Sequence, residues 1–251
     1  MASGLSVAAD GRIALALPGD PPAVALGSLP PRGAPPGGDL TLRVVPLGGP
    51  GVGAGEAAIG SVAWSPSGDR LAVVSGDPTR TLGRLYLADA AAAAGRPLGA
   101  PLVLEPVAPL WLDGARLAVL VRDLQDRVAL RTVAASDGAV LATRLSPAAS
   151  LARSGDGSTI AVALRGTAFV RVGDLAPWVA DGTLRGTVIQ APAPDGSAGA
   201  MALDATGAWL AVAWQRPGTT TSVLVYERAT GWRSTEVSRG PDDGVGLGWL
   251  P

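Results

Sequence analysis

Histidine, cysteine, lysine and asparagine do not occur in the 251 residues, and each absence removes a class of chemistry. Without His or Cys there can be no Ser-His-Asp or Cys-His nucleophilic constellation, and the usual zinc ligands are missing. Without Lys there is no Schiff-base amine and no lysine for a phosphate-cradling P-loop. Disulfides are excluded, so cysteine usage says nothing of the redox compartment. All twenty cations are Arg, set against 21 acidic residues for a net charge of −1. They scatter from Arg12 to Arg239 without a run, which argues against the concentrated basic surface that nucleic acid requires. The exclusive use of Arg reads as a compositional bias of the source genome. No segment approaches the roughly eighteen uninterrupted apolar residues of a membrane span. The opening MASGLSVAADGRI has neither a basic leader nor a signal-length apolar stretch. The expectation is a cytoplasmic chain if this start is native, and an extracytoplasmic one if it is a fragment of an exported protein.

Catalysis would have to rest on carboxylates. Only four Glu are present, Glu56, Glu105, Glu227 and Glu236, in loops or outer strands, and the Asp residues mostly occupy turns, where they stabilise backbone geometry. None makes a pair of the glycosidase kind. No catalytic, cofactor-binding or metal-binding residue is therefore assigned, no cofactor is expected, and the chain is taken as a non-enzyme.

What is present points to a folded all-β chain. Apolar residues make up 47% and mean hydropathy is +0.31, too hydrophobic for disorder. The 35 Gly and 22 Pro fall between short apolar runs as turn punctuation. Five segments repeat one pattern: LSVAADGRIALAL, SVAWSPSGDRLAVVS, PLWLDGARLAVLV, SLARSGDGSTIAVAL and AMALDATGAWLAVAW. Their turn glycines are Gly11, Gly68, Gly114, Gly157 and Gly207, separated by 57, 46, 43 and 50 residues. Each glycine sits between two β-rich runs, the mark of a hairpin. In the second run both faces are largely apolar, as a strand covered on two sides requires. Third strands are expected at 84–89, 127–133, 168–174 and 222–228. More polar fourth strands are expected at 101–106, 139–145, 187–191 and 232–238. The period suits the four-stranded blade of a β-propeller. The expected fold is thus a single β-propeller domain over 1–251, with blades at about 1–58, 59–106, 107–146, 147–196 and 197–244.

Blade one carries SLPPRGAPPGG at 28–38, which can be neither strand nor helix and is read as an insertion. LTLRVVPL at 41–48 then becomes that blade's third strand. The alanines at 90–94 are read as spacer. GGPGVGAG at 48–55 fails as a phosphate loop, because Glu56 stands where a third glycine is needed and no helix follows; it is read as a linker. GLGWLP at 246–251 echoes SVAWSP at 61–66. Residues 245–251 are either a closing strand or the start of a truncated sixth blade. Because Leu5–Ala9 already supplies the first strand of blade one, a longer chain of six to eight blades is favoured.

WSPSGDRLAVVS followed by RLYLAD resembles the WD40-like repeat of TolB-type propellers, which runs Trp-Ser-Pro-Asp-Gly, an apolar strand, and a third strand ending near Asp. Trp111-Leu112-Asp113-Gly114 is one residue shorter, Ser154-Gly155-Asp156-Gly157 lacks the Trp, and Asp204-Ala205-Thr206-Gly207 lacks the Pro. The resemblance implies a propeller architecture over about four-fifths of the chain and no activity. Relatives of this kind include periplasmic interaction proteins, sensor domains of kinases or lipoproteins, and the gating propellers of prolyl-oligopeptidase-type peptidases.

Trp64, Trp111 and Trp249 recur at one place in the repeat and are read as packing between blades, since large aromatics dominate core burial. Trp209 and Trp214 are read as core as well. Trp178 and Trp232 lie in loop or edge contexts and are taken as exposed contact residues. RDLQDR at 122–127 is the densest charge cluster and is read as a solvated hairpin tip; its Arg122, Asp123 and Asp126 join Trp178 and Trp232 as candidate partner contacts. The expected function is a non-catalytic binding or scaffold module that presents loop surfaces to a protein or peptide partner. The alternative is the gating propeller of a longer hydrolase, or the sensor domain of a kinase or lipoprotein, cut short here.

Overall fold

The computed structural model describes residues 4–8, 10–17, 22–29, 41–48, 61–76, 83–104, 107–122, 125, 127–216, 220–241 and 247. The chain is an all-β, five-bladed β-propeller whose blades are four-stranded sheets. Blade one comprises β1 (Gly4–Val7), β2 (Arg12–Leu17), β3 (Ala23–Ser28) and β4 (Arg43–Pro46). Blade two has β5 (Ser61–Trp64), β6 (Arg70–Gly76), β7 (Gly83–Asp89) and β8 (Arg96–Pro97), and blade three β9 (Leu110–Trp111), β10 (Arg116–Arg122), β11 (Val128–Ala134) and β12 (Val140–Leu145). Blade four holds β13 (Ala148–Arg153), β14 (Thr159–Leu164), β15 (Phe169–Asp174) and β16 (Gly186–Gln190), and blade five β17 (Ser197–Leu203), β18 (Trp209–Gln215), β19 (Thr220–Glu227) and β20 (Arg233–Pro241). By contact density the chain divides into two compact units, one built mainly from blades one to three and the other from blades four and five.

The second strands explain why the sheets stack. β6 pairs with β7 so that Leu71 lies opposite Ala88 and Val73 opposite Tyr86. Successive side chains of a strand point to opposite faces. These four therefore share one face, which joins Val24, Val45 and Trp64 in the core between blades one and two. The alternate residues Ala72, Val74, Leu85 and Leu87 are buried too, so both faces of blade two are covered. In blade five Leu210, Val212 and Trp214 do the same work, packing with Val170, Val172 and Tyr226 in the core shared with blade four. The Trp214 indole N–H donates to the Tyr226 hydroxyl oxygen at 2.8 Å, which satisfies a polar atom that burial would otherwise strand.

Two strand assignments are corrected. LTLRVVPL supplies the fourth strand of blade one, and its third is Ala23–Ser28, on the small apolar run after Pro22. Of the expected fourth strand of blade two at 101–106, the described residues 101–104 are not part of that sheet; Arg96–Pro97 is its fourth strand. Leu102 bridges back to Gly83 while Leu104 bridges to Val121 of blade three, and the Arg122 N–H donates to the Val103 carbonyl. Those residues are shared between two blades and belong to the sheet of neither. The short return to Arg96 is possible because Gly95 lies against blade one: its N–H donates to Pro46 and its carbonyl accepts from Gly48.

Among the described residues, besides a single 3-10 turn at Arg228–Thr230, one α-helix interrupts the all-β pattern, α1 at Leu175–Asp181 between β15 and β16. Pro177 stands in its first turn, where its missing N–H costs nothing. Gly182, at φ 84°, ends it in the left-handed conformation with its N–H donated to the Trp178 carbonyl. Residues 90–94 hold no strand and no helix. Of 48–55 only Gly48, and of 245–251 only Leu247, lies within the described residues.

Candidate binding surface

The turns joining first and second strands form a set of related sites built on Asp, Ser and Arg. In blade one the Asp10 carboxylate accepts from the Arg12 N–H and from Arg12 Nε at 2.7 Å. In blade three Asp113 accepts from the N–H groups of Ala115 and Arg116 and from Arg116 Nε at 2.7 Å. Burial works against the charge of Asp113, but these hydrogen bonds outweigh it and hold the carboxyl below its usual range. Blade four substitutes serine for arginine: Asp156 accepts from the Ser154 hydroxyl at 2.6 Å and from the Ser158 N–H and hydroxyl. Blade two is the exception. Its carboxylate, Asp69, immediately precedes Arg70 and accepts from the hydroxyls of Ser65 and Ser67, so Arg70 Nε stands 3.8 Å away.

Neighbouring turns are locked together. Arg12 stacks on Trp64 of blade two at 5.0 Å from the ring centroid, and Arg70 stacks on Trp111 of blade three at 5.2 Å. Each arginine opens a second strand and each tryptophan closes the next blade's first strand, so a cation–π contact recurs in register. Both tryptophans are buried. The Trp111 indole donates to the Ala63 carbonyl at 3.1 Å, whereas the buried Trp64 Nε1 has no hydrogen-bond partner. In blades four and five the backbones meet directly: the N–H groups of Gly155 and Asp156 donate to the carbonyls of Asp204 and Ala205.

Three of the five sequence-based contact residues are described, and each belongs to a different blade. Trp178, expected in an exposed loop, is only 4% exposed; it is the buried face of α1, with Arg144 over its ring at 4.6 Å. Burial pulls the Arg144 guanidinium below its usual range while the Asp181 charge opposes that shift. The context is corrected because a helix period, not a loop, sets Leu175 and Trp178 on one side. Trp232 is half-buried against the blade-five core. Its φ of 64° is the one left-handed non-glycine conformation among the described residues, held by its N–H donated to the Glu227 carbonyl. Arg122 ends β10. Asp123 and Asp126 lie outside the described residues, as does Trp249. Trp209, expected in the core, is 38% exposed, because it occupies the register position of Arg12 and Arg70 at the mouth of its strand. No group of three carboxylates, His or Cys able to hold a metal occurs among the described residues. No helix among them is long and apolar enough to cross a membrane.

A second surface lies on the fourth strands. Among the described residues nine large apolar ones are exposed, and six of them, Val44, Val140, Leu141, Leu145, Val188 and Val237, lie on fourth strands. No signal in the sequence marks them, since neighbours such as Val140 and Leu141 could equally face the cores on the two sides of a blade, as Leu71 and Ala72 do.

Known structures share this architecture. No protein-family model matches the chain, and no curated protein matches it. The chain is similar to a putative TolB from Agrobacterium tumefaciens, with 14% identity, a TM-score of 0.65, and coverage of 95% of this chain and 81% of the other. TolB from Acinetobacter baumannii aligns at 15% identity and a TM-score of 0.61, with 95% of this chain and 55% of the other covered. Hydrazine synthase of Kuenenia stuttgartiensis aligns at 14% identity and 0.55, over 94% of this chain and 65% of that one. They share a β-propeller. Likeness at such identity extends to the fold and not to one family, and the chain spans less than two thirds of both the hydrazine synthase and the Acinetobacter TolB chains.

Proposed function

We propose that this protein is a non-catalytic binding and scaffold module that presents loop and fourth-strand surface to a protein or peptide partner. The observation that carries the reading is where the apolar surface lies. Blade interiors are taken up by packing, yet among the described residues six of nine exposed large apolar ones lie on fourth strands, three of them, Val140, Leu141 and Leu145, on β12. Exposed apolar groups close together on one strand, as on β12, mark interaction surfaces more than singly scattered ones do. The absence of His, Cys and Lys from the sequence supports a role that needs no acid–base or covalent step. Trp232 and Arg122 are the contact residues of this proposal. Trp232 presents part of an indole from a strained backbone, and strain of this kind gathers at ligand-contacting positions. Trp178 acts from beneath the surface by backing Arg144.

Peptide display against the purified protein, followed by calorimetric titration of an enriched peptide, tests the reading. Saturable one-to-one binding is expected, weakened about tenfold or more by Trp232→Ala, in keeping with the loss of an aromatic anchor. Failure to enrich any peptide, or hydrolytic turnover of generic glycoside or ester substrates, defeats it.

A further inference from the structure

A cleft of about 230 Å³ opens where blades two and three meet, and its walls include Arg70, Leu87, Asp89, Ala94, Arg96 and Ser136. We propose that it is a binding site for a singly charged carboxylate on a short apolar stem, with an acidic side chain of a peptide as the natural source. The peptide source rests on the function proposed above; the carboxylate chemistry does not.

Equivalent arginines open the second strands of blades one, two and three. Arg12 and Arg116 are each neutralised by a turn carboxylate, with Nε to oxygen distances of 2.7 Å. Arg70 occupies the same place in the repeat, but its turn carboxylate, Asp69, is hydrogen-bonded to Ser65 and Ser67 and stands 3.8 Å from Arg70 Nε, an ion pair that leaves the guanidinium N–H donors uncommitted to it. The guanidinium is nonetheless fixed, stacked on Trp111 and donating one N–H to the Gly114 carbonyl. Arg96 is held similarly, donating one N–H to the Ser136 carbonyl at 2.9 Å. A guanidinium has five donors in a rigid fork that matches a carboxylate. Each arginine therefore keeps most of its donors for a ligand, already oriented.

The remaining walls set the ligand class. Asp89 lies directly across the strand pair from Arg70, yet among the described residues it makes no ion pair with it. Arg70, Arg96 and Asp89 give the lining itself one net positive charge, which Asp69 beside Arg70 partly offsets, so a ligand of one negative charge is the most that the cleft favours. A dianionic phosphate would be opposed by Asp89 on the wall and by Asp69 close behind Arg70, since like charges at such range repel. Leu87 and Ala94 offer apolar contact to the stem. The loop carrying Ala94 is braced from blade one, where Arg43 donates to the carbonyls of Ala90 and Ala92, so the cleft is shaped before a ligand arrives.

The test is a nuclear magnetic resonance titration of the full 15N-labelled chain, read at the Nε–H signals of Arg70 and Arg96 and at the Trp111 indole. The probes are propionate and three blocked peptides of the form acetyl-Ala-Ala-X-Ala-Ala-amide, with X as Glu, Gln or phosphoserine. Saturable shifts at all three signals are expected with propionate and with the Glu peptide. The Gln peptide should bind about tenfold more weakly or worse, because a charge-assisted bidentate contact is lost. Arg96→Gln should abolish the shifts. Ala94→Trp should do so as well by filling the cleft with both arginines still in the sequence, which keeps the test sound if one variant misfolds. Binding of propionate but not of the Glu peptide upholds the cleft and overturns the peptide-binding function. Equal binding of the Gln peptide, tighter binding of the phosphoserine peptide, shifts that survive Arg96→Gln, or no shift with any probe overturns the cleft.

Discussion

Replacing Trp64 and Trp111 one at a time by Phe separates packing from hydrogen bonding at two positions that the repeat makes equivalent. Both rings are buried, both close a first strand, and both carry an arginine at nearly the same distance, 5.0 and 5.2 Å. The loss of ring area, about 1 kcal/mol at roughly 25 cal/mol per Å², and the weakening of the cation–π contact, about 0.5 kcal/mol, are therefore common to the two variants. The difference lies at the indole nitrogen. At Trp111 the substitution removes a donor to the Ala63 carbonyl, worth about 1–3 kcal/mol when a buried partner is left stranded. At Trp64 it removes a buried N–H that has no partner, which returns on the order of 1 kcal/mol. W111F should thus destabilise by about 3 kcal/mol and W64F by no more than about 1 kcal/mol. Urea unfolding followed by far-ultraviolet circular dichroism gives both midpoints and slopes. A W64F variant as destabilised as W111F would refute the assignment of the difference to the indole hydrogen bond.

Further outcomes follow from the turns and from the helix. The carboxyls of Asp10, Asp69 and Asp156 are held below their ordinary value, chiefly by the side-chain hydrogen bonds from Arg12, from Ser67 and from Ser154 respectively. A depressed folded value means stability that is complete above about pH 4 and is lost as pH falls through the lowered values; thermal melts between pH 5 and 2 should show that loss, and the triple Asn variant should flatten it. Gly138→Ala should cost more than Gly231→Ala. Both glycines have positive φ, but a Cβ at Gly138 would stand 2.5 Å from the Gly99 nitrogen while one at Gly231 meets nothing within 4 Å. The expected losses are about 1 kcal/mol for Gly231→Ala, from left-handed backbone alone, and clearly more for Gly138→Ala, read by chemical denaturation. Arg144→Gln removes the cation stacked on Trp178 and should speed amide exchange across Leu175–Asp181 while leaving β18 unchanged, as local opening requires.

The repeat was legible because its signals are local. A glycine turn between apolar runs, with both faces of the second run apolar, needs no knowledge of the neighbours to be recognised as a hairpin covered on two sides, and Leu71, Leu117, Ile160 and Leu210 are all fully buried at the predicted place. Fourth strands in blades three, four and five were found for the same reason. The failures share the opposite character. Residues 102–104 pair with two different blades, and that choice depends on where blade three stands. Trp178 reads as a loop residue until the turn of α1 carries it under Arg144, and Trp209 reads as core until its register puts it at the strand mouth.

The cleft makes the same division at the scale of single atoms. Chain order alone places an Asp beside Arg70 and two serines before it, which is enough to set that turn apart from those holding Arg12 and Arg116. It cannot say that Arg96, 26 positions further on, comes to the same cleft, or that Asp89 faces Arg70 without pairing to it. Hydrogen bonding within a turn is decided over a few residues of backbone, whereas the meeting of two guanidiniums is decided by how adjacent sheets pack, and packing is a property of the assembled blades.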